Sequence, residues 1–209
     1  MTDQKFIKNV ILDLGGVLID IEPKNTYREF KRILRPETFV DIDWDNLPEV
    51  VEAMETGKWS KEEFKKTMLE ACLPTITATQ MVDAWCAMLM EFKALRVRMV
   101  QELNSKYNVY LLSNTNVYHV DFFEKEFKNR FHFKLKKLFK KVYYSHEIGF
   151  RKPDIAAFEF VLNDAGLIAE ETVMVDDRED NCLAAEKAGM QSILVPNNTG
   201  LEKVIKQLL

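Results

Sequence analysis

Residues 10–20 read Val-Ile-Leu-Asp-Leu-Gly-Gly-Val-Leu-Ile-Asp, an apolar run that ends on Asp13 and turns at Gly15 and Gly16. A continuous apolar run of this kind is typical of a strand that is buried on both faces of a parallel sheet. Desolvating an ionised carboxylate is unfavourable unless a metal, a cation or hydrogen bonds compensate. Because ligands bind at the carboxyl ends of strands in open α/β sheets, Asp13 is the first candidate for chemistry.

Five short segments have the apolar, β-rich composition of buried strands. They are Asn9–Leu14, Val109–Ser113, Lys141–Ser145, Thr172–Asp176 and Ser192–Val195. Helical patterns lie between most of them, at Leu95–Tyr107, Asp154–Ala165 and Asp180–Ala188. This alternation predicts an α/β fold with a doubly wound parallel sheet.

The stretch from Ile21 to Ala94 interrupts the alternation. It shows no convincing strand and four amphipathic helical segments: Asn25–Leu34, Leu47–Thr56, Lys61–Cys72 and Thr79–Phe92. We therefore predict a core made of residues 1–20 and 95–209, with residues 21–94 inserted after the first strand as a helical cap. An insert at this point is well placed to cover a site at the strand tips, and the alternative is that it merely adds bulk to the core.

Composition restricts the partners. The net charge is −4, and basic residues are spread along the chain, which argues against nucleic acid or an anionic membrane as the main partner. Three cysteines, an odd number without C-x-x-C spacing, indicate buried, reduced thiols in a cytoplasmic protein. We find neither a signal-peptide pattern nor an apolar run of membrane-spanning length.

Polar residues follow four of the predicted strands, and the carboxyl ends of parallel strands meet at one edge. They are Asp13, the pair Ser113-Asn114, Lys152 in the loop 149–154, and the pair Asp176-Asp177. Three carboxylates placed together repel one another unless a cation lies among them. Mg²⁺ suits such an all-oxygen site, and it accepts substrate phosphate as a further ligand.

Ser113, Asn114 and Lys152 would then be donors for an anion, with Lys152 acting as a point charge. A metal, a cationic cradle and a lone carboxylate form a coherent site for phosphoryl transfer. Simpler interpretations are that Ser113 caps the following helix and that Lys152 is a solvated loop residue.

Four motifs in this order resemble the haloacid dehalogenase (HAD) superfamily of phosphohydrolases. The matching stretches are VILDLGGVLID, LLSNTN, GFRKPD and VMVDDREDN, and together they span nearly the whole chain. The residues of the first two motifs are similar to those of the glucose-1-phosphatase-like branch, which acts on sugar phosphates. The helical insert resembles the small cap of this family.

The resemblance implies a role for each acidic residue. Asp13 would be the nucleophile that becomes an aspartyl-phosphate. Asp13, the backbone carbonyl of Gly15 and Asp177 would hold Mg²⁺, with Asp176 as a ligand or a partner of the ligands.

The resemblance also implies that Ser113 and Asn114 bind the transferring phosphoryl oxygens, while Lys152 neutralises charge and orients Asp13. The implied protein is a cytoplasmic, Mg²⁺-dependent phosphatase of a small phosphorylated metabolite, such as a sugar phosphate. A monomer and a homodimer are both compatible with the sequence.

The first motif departs from the pattern of most phosphatases in this family, which carry a second Asp where this chain has Gly15. That Asp protonates the leaving group, and general acid–base catalysis is worth about 10² to 10⁴-fold in rate. Three readings follow. The enzyme acts on good leaving groups or recruits another acid, it is a metal-independent haloacid dehalogenase, or it is a catalytically weak relative that binds a phosphorylated ligand.

Overall fold

The computed structural model describes residues 6–38, 49–196 and 199–208. A five-stranded parallel sheet forms the centre of the fold. Its strands are β1 (Asn9–Leu12), β4 (Asn108–Ser113), β5 (Val142–Tyr144), β6 (Thr172–Asp176) and β7 (Gln191–Leu194), and they lie side by side in the order β5-β4-β1-β6-β7. All five correspond to predicted strands, and the α/β prediction is confirmed.

Strand β1 lies in the middle of the sheet. Its Val10 pairs with Val109 of β4 and Val173 of β6. Hydrogen bonding continues one residue past the end of the strand, because the backbone N–H of Asp13 donates to the carbonyl of Val175 at 2.9 Å. The backbone of Asp13 is therefore fixed by the sheet itself.

Helices cover both faces of this sheet. They are α5 (Ala94–Leu103), α6 (Val117–Phe131), α7 (Ser145–Ile148), α8 (Ile155–Ala165) and α9 (Glu179–Lys187). Val10 packs in one hydrophobic cluster with Val100 and Phe127, whereas the next residue, Ile11, packs in another with Phe158. Successive residues of a strand point to opposite faces, so both faces of β1 are buried and the sheet is doubly wound.

Among the described residues, the four helices that precede α5 form a third hydrophobic cluster, and residues at the start of α6 pack against it. The four helices are α1 (Pro23–Ile33), α2 (Glu49–Glu55), α3 (Lys61–Ala71) and α4 (Ala78–Cys86). Phe30, Met54, Phe64, Met81 and Trp85 meet in the cluster. Capping boxes begin α3 at Ser60 and α4 at Thr77, and each satisfies backbone N–H groups in the first helical turn.

The expectation that residues 21–94 contain no strand was wrong. The chain forms β2 (Ile19–Ile21) and β3 (Leu89–Phe92), which pair antiparallel. The predicted helix Thr79–Phe92 therefore ends at Cys86. Leu89 and Phe92 also fit the apolar stripe of a helix that continues from α4. They form a strand instead because β2, which is distant in sequence, pairs with them to make a two-stranded ribbon.

The three cysteines are buried and free, as predicted. Within the described ranges, no helix has both the length and the apolar character needed to cross a membrane.

Candidate active site

A cavity of about 650 Å³ lies at the carboxyl edge of the sheet. Its walls include six of the seven residues selected from the sequence: Asp13, Gly15, Ser113, Asn114, Lys152 and Asp177. The seventh, Asp176, is fully buried and contacts Lys152. The structure thus brings all the predicted site residues together.

Lys152 lies at the centre of this arrangement and is 1% exposed. Its Nζ donates to Asp13 Oδ1 at 2.8 Å, to Asp176 Oδ2 at 2.6 Å and to the carbonyl of Leu112 at 2.9 Å. Burial alone lowers the pKa of a lysine, but the carboxylates of Asp13 and Asp176 outweigh it, so the pKa of Lys152 is raised. Lys152 is a buried, charged residue rather than a solvated loop lysine.

Asp13, Asp176 and Asp177 form an acidic cluster, with one carboxylate oxygen from each lying within 4.8 Å of the others. Burial raises the pKa of Asp13 to about 7, and the charges of the other two carboxylates add to the effect while Lys152 opposes it. Burial and the charge of Asp176 likewise raise the pKa of Asp177 to about 6. Three carboxylates face one ammonium group, so the cluster fits an additional hard cation with oxygen ligands, such as Mg²⁺.

The side chain of Asp176 is tightly held. Its Oδ1 accepts from the backbone N–H of Arg178 and from Asn181 Nδ2, both at 2.9 Å, and its Oδ2 accepts from Lys152. Because both oxygens already accept hydrogen bonds, Asp176 fits the part of a residue that positions Lys152 and the cluster better than that of a freely available ligand.

Gly16 was not selected from the sequence as a site residue, yet it lies directly against the cluster. Its φ is +66°, and a Cβ at this position would lie 2.1 Å from Asp177 Oδ2. Glycine therefore serves two needs here: it permits the left-handed backbone and leaves room for the carboxylate.

Position 15 has an apolar neighbour. A Cβ on Gly15 would lie 2.8 Å from Ile21 Cδ1 and 3.9 Å from Asp13 Oδ2. The space where an acidic side chain at this position would begin is thus bordered by the methyl end of Ile21.

Ser113 and Asn114 lie at the end of β4. Ser113 is buried, and it does not cap the next helix, because Asn116 is the N-cap of α6. The Asn114 side chain binds the Lys152 backbone twice: Nδ2 donates to its carbonyl at 2.7 Å, and Oδ1 accepts from its N–H at 2.8 Å. Both polar atoms of the Asn114 amide therefore hold the backbone of Lys152 in place.

One wall of the cavity is formed by Trp85, Asn116 and His119. Trp85 Nε1 donates to Asn116 Oδ1 at 3.2 Å, and His119 Nε2 lies 3.1 Å from the Trp85 carbonyl. Burial lowers the pKa of His119 to about 4, so its ring is neutral near pH 7. His119 was not selected from the sequence as a site residue, and only the fold brings it to the cavity.

A second feature absent from the sequence prediction is the ion pair between Glu55 of α2 and Arg151. Glu55 Oε2 accepts from Arg151 Nε and Nη2, each at 2.9 Å. The two residues are 96 positions apart, which leaves no local signal for the contact. The pair joins the helical segment to the loop that carries Lys152.

A family model of haloacid dehalogenase-like hydrolases matches residues 7–189. This chain belongs to that family. It is similar to a D-ribitol-5-phosphate phosphatase of Bacteroides thetaiotaomicron, with 27% identity over 208 residues that cover 97% of this chain and 98% of the relative.

Solved structures agree with the assignment. A HAD family enzyme from Bacteroides thetaiotaomicron, in complex with magnesium and inorganic phosphate, superposes with a TM-score of 0.82 at 32% identity, over 92% of this chain and 96% of that one. A predicted HAD-like family hydrolase from Porphyromonas gingivalis gives 0.81 at 30% identity, over 97% and 98%. A 2-haloacid dehalogenase from Pseudomonas syringae pv. Tomato DC3000 shares the fold alone, at 17% identity and a TM-score of 0.56 over 90% and 86%.

Proposed function

We propose that this chain is a Mg²⁺-dependent phosphatase that hydrolyses small phosphomonoesters through an aspartyl-phosphate on Asp13. The observation that carries the proposal is the contact of Asp13 with the buried ammonium of Lys152, beside an acidic cluster suited to a hard cation. A carboxylate nucleophile, a fixed positive charge and oxygen ligands for a metal are the parts that phosphoryl transfer needs.

In this proposal, Asp13, Asp177 and the carbonyl of Gly15 hold the metal, with Asp176 behind them. Bound Mg²⁺ would neutralise charge on the phosphoryl oxygens and lower the pKa of the surrounding carboxyl groups. The protein's own contribution is orientation, because the sheet fixes the backbone of Asp13 and Lys152 fixes its Oδ1.

The reaction has two halves. The Asp13 carboxylate attacks phosphorus and the bond from phosphorus to the leaving oxygen breaks. The electron pair of that bond stays on the leaving oxygen, which takes up a proton and departs as an alcohol; the attacking water of the second half gives a proton back. Water then attacks the aspartyl-phosphate, the bond to Asp13 breaks, and phosphate leaves with the carboxylate restored. Throughout, Lys152 stays charged because its pKa is raised, so it stabilises the negative charge that develops in both halves.

We propose a sugar or sugar-alcohol phosphate as the substrate class. Support comes from the size of the cavity, its mixed polar and apolar lining, and the D-ribitol-5-phosphate phosphatase to which the chain is similar end to end. We also propose that residues 21–94 act as a cap on the core, since Val51, Glu55 and Trp85 from this segment line the same cavity as Asp13. Cytoplasmic location and a monomeric or homodimeric state stay predictions.

The test is hydrolysis of p-nitrophenyl phosphate by the purified protein with Mg²⁺, with EDTA, and after the substitution Asp13→Asn. We expect turnover with Mg²⁺ and only background rates in the other two cases. Asp180→Asn is the matched control, because Asp180 also lines the cavity but pairs with Arg178 instead of joining the cluster. It should retain activity.

Other outcomes would contradict the proposal. Turnover that survives EDTA or Asp13→Asn would exclude the mechanism. Halide release from chloroacetate without metal would favour the dehalogenase reading. If neither substrate is consumed but inorganic phosphate raises the melting temperature, a binding-only protein is favoured.

A further inference from the structure

Gly15 leaves the proposed phosphatase without a proton donor on the first motif. An alkoxide is a poor leaving group, so a site that releases sugar alcohols needs a proton at the leaving oxygen. The apolar Ile21 beside Gly15 cannot provide it. The donor must come from another part of the cavity.

Outside the acidic cluster, four described cavity residues carry a carboxyl or imidazole group: Glu52, Glu55, His119 and Asp180. Asp180 accepts two hydrogen bonds from Arg178, which keep its pKa low and the group ionised. His119 is neutral, and since the Trp85 carbonyl can only accept, the proton on its ring stays on Nε2 in that contact. The Glu52 side chain is 54% exposed and pairs with Lys58.

Glu55 differs from these three. Its side chain is 15% exposed, and burial raises its pKa although the positive charges of Arg151, Lys152 and Arg178 oppose the shift. Both contacts from Arg151 fall on Oε2, so Oε1 is the oxygen of this carboxyl group that Arg151 leaves for a ligand or a proton. Arg151 immediately precedes Lys152, so the ion pair ties Glu55 to the loop whose Lys152 contacts Asp13.

We propose that Glu55 is the general acid and base of this enzyme, supplied by the helical segment in place of the side chain missing at position 15. The inference rests on the phosphatase function proposed above. The contact with Arg151 stabilises the ionised form of Glu55, because a guanidinium stabilises the carboxylate that remains after the proton has left.

Glu55 gives up a proton in the first half of the reaction and regains one in the second. Asp13 attacks phosphorus, the phosphorus–oxygen bond to the substrate breaks, and the electron pair stays on the leaving oxygen, which takes the proton of Glu55 and departs as an alcohol. Water then attacks the aspartyl-phosphate and gives one proton to Glu55 as the electron pair of the breaking bond returns to Asp13. Glu55 ends protonated, as it began.

The test compares kcat/KM for a series of substituted phenyl phosphates, from p-nitro to p-methyl, in wild type, Glu55→Gln and Glu52→Gln. The value of kcat/KM reports the half-reaction in which the leaving group departs, and these substrates differ in leaving-group basicity while their size is similar. For Glu55→Gln we expect a small loss of kcat/KM on p-nitrophenyl phosphate, and the loss should grow steadily as the leaving group becomes more basic. With a sugar-alcohol phosphate, the loss of kcat/KM in Glu55→Gln should reach the factor typical of a lost general acid, about 10² to 10⁴.

Glu52→Gln removes the same charge from the same helix and should follow the wild type throughout. A second variant, Glu55→Ala, should regain activity when formate is added, because formate can replace the missing carboxyl group. This rescue, together with melting temperatures of all variants, separates a lost proton donor from a damaged fold.

A uniform loss across the series would overturn the proposal, since it would show a role in binding or packing. Equal behaviour of Glu55→Gln and Glu52→Gln, or absence of formate rescue, would overturn it as well. If the wild type itself fails to hydrolyse p-nitrophenyl phosphate with Mg²⁺, the phosphatase function fails and this inference with it. In the outcomes that overturn only the role of Glu55, the wild type stays active with Mg²⁺, so the two failures can be told apart.

Discussion

Gly16→Ala tests how the first turn supports the acidic cluster. The added Cβ would lie 2.1 Å from Asp177 Oδ2, whereas real Cβ contacts are essentially never shorter than 3.0 Å. The carboxylate or the turn must therefore move by roughly 0.9 Å, the difference between these two distances. Metal sites tolerate errors of only about 0.2 Å in ligand distance, so Asp177 would lose the position from which we propose that it binds Mg²⁺.

The size of the effect follows from two contributions. The left-handed backbone, with φ of +66° at Gly16, costs any residue with a Cβ about 1–2 kcal/mol. Changes to groups that only orient metal ligands already weaken metal binding by about 10 to 100-fold, so displacing a ligand should reach about 100-fold or more. We expect the Mg²⁺ dependence of the phosphatase rate to shift by that factor.

Gly166→Ala is the matched control. Gly166 has nearly the same backbone, with φ of +63°, but nothing lies within 4 Å of its Cβ position. This variant should show the loss of stability without the loss of Mg²⁺ affinity, measured by thermal melting and by isothermal titration calorimetry. If both variants bind Mg²⁺ equally well, Asp177 is not held by this turn and the argument is refuted.

Two further predictions concern pH and packing. Because the raised pKa values of Asp13 and Asp177, about 7 and about 6, mean that the folded state holds more protons than the unfolded state, the metal-free protein should lose stability from pH 4 to pH 7. Mg²⁺ competes with those protons, so the gain in melting temperature with Mg²⁺ over EDTA should widen from pH 5 to pH 8, and a constant gain would contradict the assignment. Phe158→Ala, at a residue with 0% exposure, should cost about 3–5 kcal/mol and lower the melting temperature by roughly 10 °C. Phe6→Ala, at a residue with 79% exposure, should leave it nearly unchanged, and equal shifts would show that Phe158 does not carry core packing.

The strands and the site residues at their tips could be predicted because the relevant signals are local. An apolar run such as residues 10–12 identifies a buried strand, and the polar residue that follows it must lie at the edge of the sheet. Parallel pairing then brings Asp13, Asp177 and the loop that carries Lys152 to the same edge of the sheet, because the carboxyl ends of parallel strands all lie at one edge.

The two-stranded ribbon could not be predicted in the same way. Leu89–Phe92 alternates poorly, with only Phe92 buried, and its apolar residues also extend the pattern of α4. Pairing with Ile19–Ile21 decides its conformation, and that partner lies some 70 residues earlier along the chain. Local periodicity does not contain this information.

Contacts between distant segments could not be predicted from the sequence for a related reason. Gly16 was read as part of a turn, although its second task is to admit Asp177. Glu55 lies in the predicted helical segment Leu47–Thr56, and nothing in that pattern indicates its contact with Arg151. In both cases, the residue type was visible but its partner was not.

The ribbon of β2 and β3 has a consequence for how such an enzyme diverges. Ile21, where the chain enters the helical segment, is the register partner of Leu89, where it returns. When the two ends of an insertion are already joined, each doubling of its length adds only about 0.6 kcal/mol of closure entropy. Helices between these two residues can therefore be exchanged, lengthened or rebuilt while the sheet and its acidic cluster persist, so that the substrate range, and with it the proton donor proposed on α2, is free to evolve at a different rate from the acidic cluster.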